Sequence, residues 1–222
     1  MKIFTKALAG LLMSVWALGA NATLYNFNFS DAGYTFSATM DITFTGQNVS
    51  ITVNNTSPNQ AYEPAITGFG FSTTGAITGA SGILWNPDVS ADWTVLVNQD
   101  LDGVTIEFGG ETSNGGKGAF YTTGVDGSFA GPPQYFGAHT LTATLTGTIG
   151  DIVVSGSNLN CGANALCSPF MRVQNWGPGG EGSLKLVGTP GGGPPPAETP
   201  EPATLALLGL ALAGIGFARR RS

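Results

Sequence analysis

The chain has 222 residues and a formal net charge of −6, with charged residues making up only 10% of it and hydrophobic residues 42%. Between Thr23 and Thr189 the only bases are Lys117, Arg172 and Lys185, against twelve acids, so the body is about −9; this excludes a polyanion-binding surface, nucleic acid included. Thr, Ser, Asn and Gly are abundant, which suits an exported β protein whose surface is hydroxyl and amide rather than ionic. At the N-terminus, Lys2 and Lys6 precede the apolar stretch Ala7 to Ala20, and Ala20-Asn21-Ala22 offers small residues at both positions a signal peptidase reads. Residues 1–22 are therefore expected to form a signal helix, cleaved after Ala22.

Period-two alternation dominates the chain beyond Ala22. Tyr25, Phe27 and Phe29 alternate with polar residues, and after Asp31-Ala-Gly33 the pattern resumes at Tyr34, Phe36, Ala38, Met40, Ile42 and Phe44. A turn at Thr45-Gly-Gln-Asn48 leads to Val49, Ile51 and Val53, a hairpin or meander. Asn54 to Pro64 reads as loop. Glycines interrupt the apolar stretch around Ile66, Phe69 and Phe71 and suggest bulges. Trp93, Val95 and Val97 face Val104, Ile106 and Phe108 across Asn98–Gly103, a second hairpin. Glu111 to Gly118 reads as a glycine-rich loop. His139, Leu141, Ala143 and Leu145 alternate with threonines that face the other way. Ile152 to Val154 suits a central strand, and Phe170–Val173 and Leu184–Val187 complete about ten strands. Antiparallel strands at this spacing, broken by Gly, Asn and Pro, predict an all-β sandwich or jelly roll over residues 23–187.

Candidate chemistry is sparse in this stretch. Asn98, Asp100, Asp102 and Gly103 fill the first, third, fifth and sixth places of a calcium loop, but Gly109 stands at the twelfth, where a bidentate Glu belongs. An Asp-Gly hairpin turn explains the same residues, and weak calcium binding stays open; no other cofactor is indicated. His139 is the sole histidine and shares a face with apolar residues, as a core or edge histidine does. No serine occupies a nucleophile elbow, and no strand shows the closely spaced carboxylates of sandwich-fold glycanases. A non-enzymatic protein is expected. Cys161 and Cys167, the only cysteines, would form one short-range disulfide in an exported chain; a metal site would need more soft ligands. Trp85, beside Asn86-Pro87, and Trp176, before Gly177-Pro178, have loop-like surroundings and are the candidates for stacking on sugar rings, with core filling as the alternative.

The chain ends in an export-related pattern. Residues 188–199 are a Pro/Gly-rich spacer. Thr199-Pro200-Glu201-Pro202 then precedes an unbroken apolar run, Ala203 to Ala218, which stops at Arg219, Arg220 and Arg221. The run makes a helix just long enough to cross a thin hydrocarbon core, and the arginines hold its end on the cytoplasmic side. An ordinary single-pass anchor is the alternative, but an anchor gives no reason for Pro-Glu-Pro at the membrane face. In order and content, residues 200–222 closely resemble the PEP-CTERM sorting signal of Gram-negative bacteria. That resemblance implies recognition of Pro200, Glu201 and Pro202 by a membrane-embedded exosortase, retention at the inner membrane through Arg219 to Arg221 until cleavage, and release to the cell surface or extracellular matrix. On this reading the body is a matrix or biofilm component in contact with exopolysaccharide. A carbohydrate-binding module and, third, a glycan-cleaving enzyme are the contrasting readings.

Overall fold

A computed structural model describes residues 21–31, 33–58, 63–113, 118–122, 134–154, 168–177, 180 and 182–191. The predicted signal helix up to residue 20, the Cys161–Cys167 loop, most of the spacer, Pro200–Pro202, the apolar run and Arg219–Arg221 lie outside the described residues, as does the side chain of Trp176. No described helix is long and apolar enough to cross a membrane.

In chain order the strands are β1 (Asn21–Asp31), β2 (Tyr34–Thr45), β3 (Asn48–Asn55), β4 (Ala65–Phe71), β5 (Ala76–Asn86), β6 (Trp93–Leu101), β7 (Val104–Thr112), β8 (Phe120–Tyr121), β9 (Tyr135–Phe136), β10 (Ala138–Thr148), β11 (Phe170–Trp176), β12 (Gly182–Val187) and β13 (Thr189–Pro190). They form two sheets packed face to face. Sheet A runs β13-β1-β2-β3-β10-β5 and sheet B runs β12-β11-β4-β7-β6, with β8 and β9 appended to β4. All pairings are antiparallel except the short β8–β9 pair. The expected all-β sandwich is present. Its connectivity is a β1-β2-β3 meander, two further hairpins (β6–β7, β11–β12) and repeated crossings between the sheets.

Alternation places the core between the sheets, as the sequence pattern requires. Phe27, Phe36, Met40, Ile42, Ile51, Val53 and Leu141 from sheet A meet Ile66, Phe69, Phe71, Phe108 and Val173 from sheet B. An aromatic row runs through it. Trp93 stacks on Phe120 at 4.1 Å between ring centroids, Phe120 stacks on His139 at 4.2 Å, and Trp85 lies 5.5 Å from Trp93.

Sheet B has a second apolar layer on its other side. Phe170, Gly70, Gly109 and Leu96 form one row across β11, β4, β7 and β6. A Cβ on Gly70 would stand 2.3 Å from Ile106 Cδ1, and one on Gly68 2.8 Å from Leu101 Cδ1. Gly68 pairs with Glu111, ten residues beyond Leu101. Leu101 can reach Gly68 only because the distal half of the β6–β7 hairpin folds back over the sheet. The bend coincides with Asn98, whose φ is 49°, and whose side-chain amide donates to the Ile77 carbonyl. At the tip, Asp102 (φ 56°) and Gly103 (φ 84°) make the two-residue turn with both residues left-handed that an Asp-Gly hairpin favours. The tip is tied down by charge. Asp102 Oδ2 lies 3.4 Å from both Arg172 Nε and Lys185 Nζ, and Lys185 Nζ donates to the Asp102 carbonyl at 2.6 Å. The folded arm and the glycines beneath it bury Leu96, Leu101, Val104, Ile106 and Phe170 as a separate cluster.

Several expectations need correction. Trp85 is not in a loop but near the end of β5, a strand hidden in the sequence because Gly79 and Gly82 break its alternation and most of it is exposed. Its side chain is only 8% exposed, and a Cβ on Gly110 would meet its ring at 3.4 Å, so a glycine in β7 makes room for it. Trp176 belongs by its backbone to β11, paired with Gly182. β7 runs through Gly109 and Gly110 to Thr112, so Glu111 and Thr112, read as the start of a glycine-rich loop, are strand residues. Ile152 forms only an isolated bridge with Thr73, and Val154 is 55% exposed. Thr189–Pro190 extends sheet A into the stretch read as spacer, and proline is tolerated there because β13 is an edge.

Candidate functional site: the hydroxyl face and its flanking groove

The outer face of sheet A is built by the same alternation that fills the core. Wherever Ile42, Ile51 or Leu141 points inward, the neighbouring Thr, Ser or Asn points out. Cross-strand register lines these residues into rows: Asp41–Thr52–Thr140, Thr43–Ser50–Thr142–Leu84 and Thr45–Asn48–Thr144–Ser81. Strands lie about 4.8 Å apart and alternate residues about 6.7 Å apart along a strand, so the groups form a regular uncharged grid around the single carboxylate of Asp41. Neighbours are bonded across strands. Thr52 Oγ1 and Thr140 Oγ1 are 2.9 Å apart, and Thr144 Oγ1 donates to Asn48 Oδ1 at 2.8 Å. A shallow trough of about 250 Å³ runs between β2, β3 and β10 over Thr43, Asn48, Ser50, Thr142 and Thr144.

The grid meets a groove at β5. β5 ends sheet A and β6 ends sheet B, and between these two edges lies a cleft of about 450 Å³. Its rim is aliphatic, with Leu84 69% and Ile83 41% exposed, and its floor is formed by the edges of Trp85 and Trp93. Asp88 and Ser90 supply the polar wall. Ser90 N donates to Asp88 Oδ1 at 3.0 Å, and this bond, with one from the Ser90 side chain, holds the Asp88 carboxyl below the usual carboxylate range. Nearby, Tyr135 Oη donates to Asp92 Oδ2 at 2.6 Å, a bond that pushes the phenol up to about 12. Aliphatic surface, indole edges, a hydroxyl and an ionised carboxylate suit a ligand with apolar ring faces and hydroxyl edges.

His139 is 1% exposed, with Nδ1 donating to the Gly137 carbonyl at 3.1 Å, and burial pushes its pKa down against that bond. It is a neutral core residue stacked on Phe120. Asp100 Oδ1 accepts from Gly103 N at 2.6 Å and Asp102 is ion-paired, so the hairpin-turn reading of these carboxylates holds. No group of three or more His, Cys, Asp or Glu side chains able to hold a metal occurs among the described residues. Trp85 and Trp176 lie on β5 and β11, strands of different sheets, with β5 packed toward β6 and β7 and β11 beside β12. The strand order does not bring them to one margin. The hydroxyl grid is not apparent in the sequence except for the outward threonines after His139. Its signal is the Thr/Ser/Asn alternation in three strands, which becomes a surface only when the strands are set in register.

No curated protein and no solved structure matches the chain. One family model does, over residues 198–221, and its description is the PEP-CTERM protein-sorting motif. The match spans Pro200-Glu201-Pro202, the apolar run and the arginines. The chain thus carries a PEP-CTERM sorting motif, the kind of signal that exosortases recognise on exported proteins bound for the cell surface or the extracellular space.

Proposed function

We propose that this is a non-enzymatic protein of the bacterial surface or extracellular matrix, exported through its cleaved signal peptide and released by an exosortase acting at Pro200-Glu201-Pro202. The sorting motif at residues 198–221 is the observation that carries this reading. A disulfide between Cys161 and Cys167 belongs to the same picture, since export takes the chain into an oxidising compartment. The deciding experiment is Glu201→Ala in the producing bacterium, followed by intact mass and fractionation. The variant should still be exported but should keep its tail and stay with the inner membrane; normal processing would reject Pro-Glu-Pro as the recognition element.

Within that role the sandwich reads best as a contact surface for neutral polysaccharide. Its support is the hydroxyl and amide grid of sheet A, which has one carboxylate and no cation and runs into the indole-floored groove. Thr142→Lys and Leu84→Lys should each weaken retention on neutral exopolysaccharide several-fold while leaving the circular dichroism native. Unchanged retention in both would leave a scaffold without glycan contact.

A further inference from the structure

The entry to β4 holds three buried oxygens with nothing to bind. Glu63 is 3% exposed, and neither of its carboxylate oxygens has a hydrogen-bond partner. Gln174 Oε1 is likewise buried and unpartnered. Register brings the backbones that carry these groups together. Gln174 stands opposite Ala65, two residues from Glu63, and Ile66 pairs with Phe120, which sets Tyr121 on the other flank of Ala65. Ala65, Ala119 and Tyr121 pack as a cluster of their own, and the Glu63 charge is felt by the Tyr121 phenol. The two alanines put almost no side chain between Gln174 and Tyr121.

The backbone here is held firmly. Asn175 Nδ2 donates to the Glu63 carbonyl at 2.6 Å, from a residue with φ of 62°, and Asn55 Nδ2 donates to the Pro64 carbonyl at 2.7 Å and the Phe120 carbonyl at 3.1 Å. Two buried amides thus fix the chain that presents the carboxylate. A buried polar group without a partner is rare in a folded protein, and a buried carboxylate demands either a proton or a cation. Here the neighbouring unsatisfied atom, Gln174 Oε1, is also an acceptor. A proton on Glu63 supplies one O–H, which can be given to Gln174 Oε1 but leaves the other carboxyl oxygen without a donor, whereas a cation can satisfy all three oxygens together.

We propose that Glu63 and Gln174 form a calcium site, with the Glu63 carboxylate as its charged ligand and Gln174 Oε1 as a neutral one. The donors are all hard oxygens, with no imidazole or thiolate among them, which selects against zinc and copper. Irregular geometry with a mixture of carboxylate, amide and water oxygens suits calcium better than magnesium, which demands a near-ideal octahedron. A single carboxylate makes a weak site, in the range of about 10⁻⁴ to 10⁻³ M found in extracellular modules, which matches an exported protein. The site is separate from Asp100 and Asp102 on the β6–β7 turn.

The test uses the exported protein purified after stripping with a chelator. In the wild type, 10 mM CaCl₂ should raise the melting temperature by roughly 3 to 8 °C, with a smaller rise in MgCl₂ and none in NaCl of equal ionic strength. Glu63→Gln should abolish the calcium response and, without calcium, melt no lower than the stripped wild type, because it removes a buried charge. Asp100→Asn should respond as the wild type does. Terbium gives a direct reading: excited through Tyr121, the bound ion should luminesce, calcium should displace it, and Tyr121→Phe should lose the emission but keep the calcium-induced rise in melting temperature. A wild type that shows neither the calcium shift nor terbium emission overturns the site, as does a calcium shift undiminished in Glu63→Gln.

Discussion

The two outer faces of the sandwich have the same secondary structure and opposite fates. Sheet A presents Thr, Ser and Asn to solvent in register, and Leu84, on the edge strand, is its most exposed large apolar side chain. Sheet B presents Phe170, Leu96 and a glycine path, and the β6–β7 arm folds onto it so that Leu101 and Ile106 fill the space above Gly68 and Gly70. An antiparallel sheet needs only one apolar face to join a sandwich. A sheet with two apolar faces must cover the second, and here a hairpin from the same sheet does so. The lesson is about glycine: in β4 and β7 it weakens the strands as strands but admits a second layer of side chains.

Breaking the arm should have the largest effect. Gly70→Val would drive a side chain into Ile106, and the ensuing displacement should cost about 3 kcal/mol or more in urea unfolding. A loss below about 1 kcal/mol would mean that the arm shifts freely and that the second layer contributes little.

Sheet A's dryness on its inner side can be tested by titration. Tyr25 is 1% exposed, and burial pushes its phenol up to about 12 from 10.0. A raised folded-state pKa gives stability that is complete below pH 10 and lost as pH rises from about 10 to 12. The phenol should contribute roughly 3 kcal/mol to that alkaline loss, and Tyr25→Phe should show a correspondingly shallower fall. Identical alkaline profiles for the two proteins would place Tyr25 in contact with water.

The charge at the arm's tip should matter less than its packing. The Asp102 side chain is 36% exposed and that of Lys185 42%, so screening reduces what the Arg172–Asp102–Lys185 cluster contributes. Asp102→Asn should cost roughly 0.5 to 1 kcal/mol, and the difference from wild type should shrink in 1 M NaCl. A salt-independent loss would point to the turn rather than the ion pairs.

The smallest effect is expected on the hydroxyl face. Thr140→Val removes the half-buried bond to Thr52 on the outer face of the sheet and should change stability by no more than about 0.5 kcal/mol, while lowering retention on neutral polysaccharide. A large stability loss from this substitution would mean that the grid is structural glue rather than a contact surface.

The sorting motif and the inner face of sheet A are legible in the sequence, because each is encoded within a single contiguous run. The PEP-CTERM motif is twenty-odd adjacent residues, and alternation over Tyr34–Phe44 or His139–Leu145 reports burial directly, since a strand's period is two. The Asp102-Gly103 turn is equally local, being chosen by two residues that tolerate left-handed backbone. What tertiary structure decided was every feature that joins distant strands. Trp85 has loop-like neighbours, yet Gly110 in β7 opens the space that buries it. The glycines of β4 read as interruptions until Leu101 and Ile106 are laid over them. Glu63 looks like an ordinary loop acid, and only the approach of β11 and β8 removes it from water beside Gln174 and Tyr121. Burial depends on the whole neighbourhood of a side chain, whereas periodicity carries information only along the strand on which it is written.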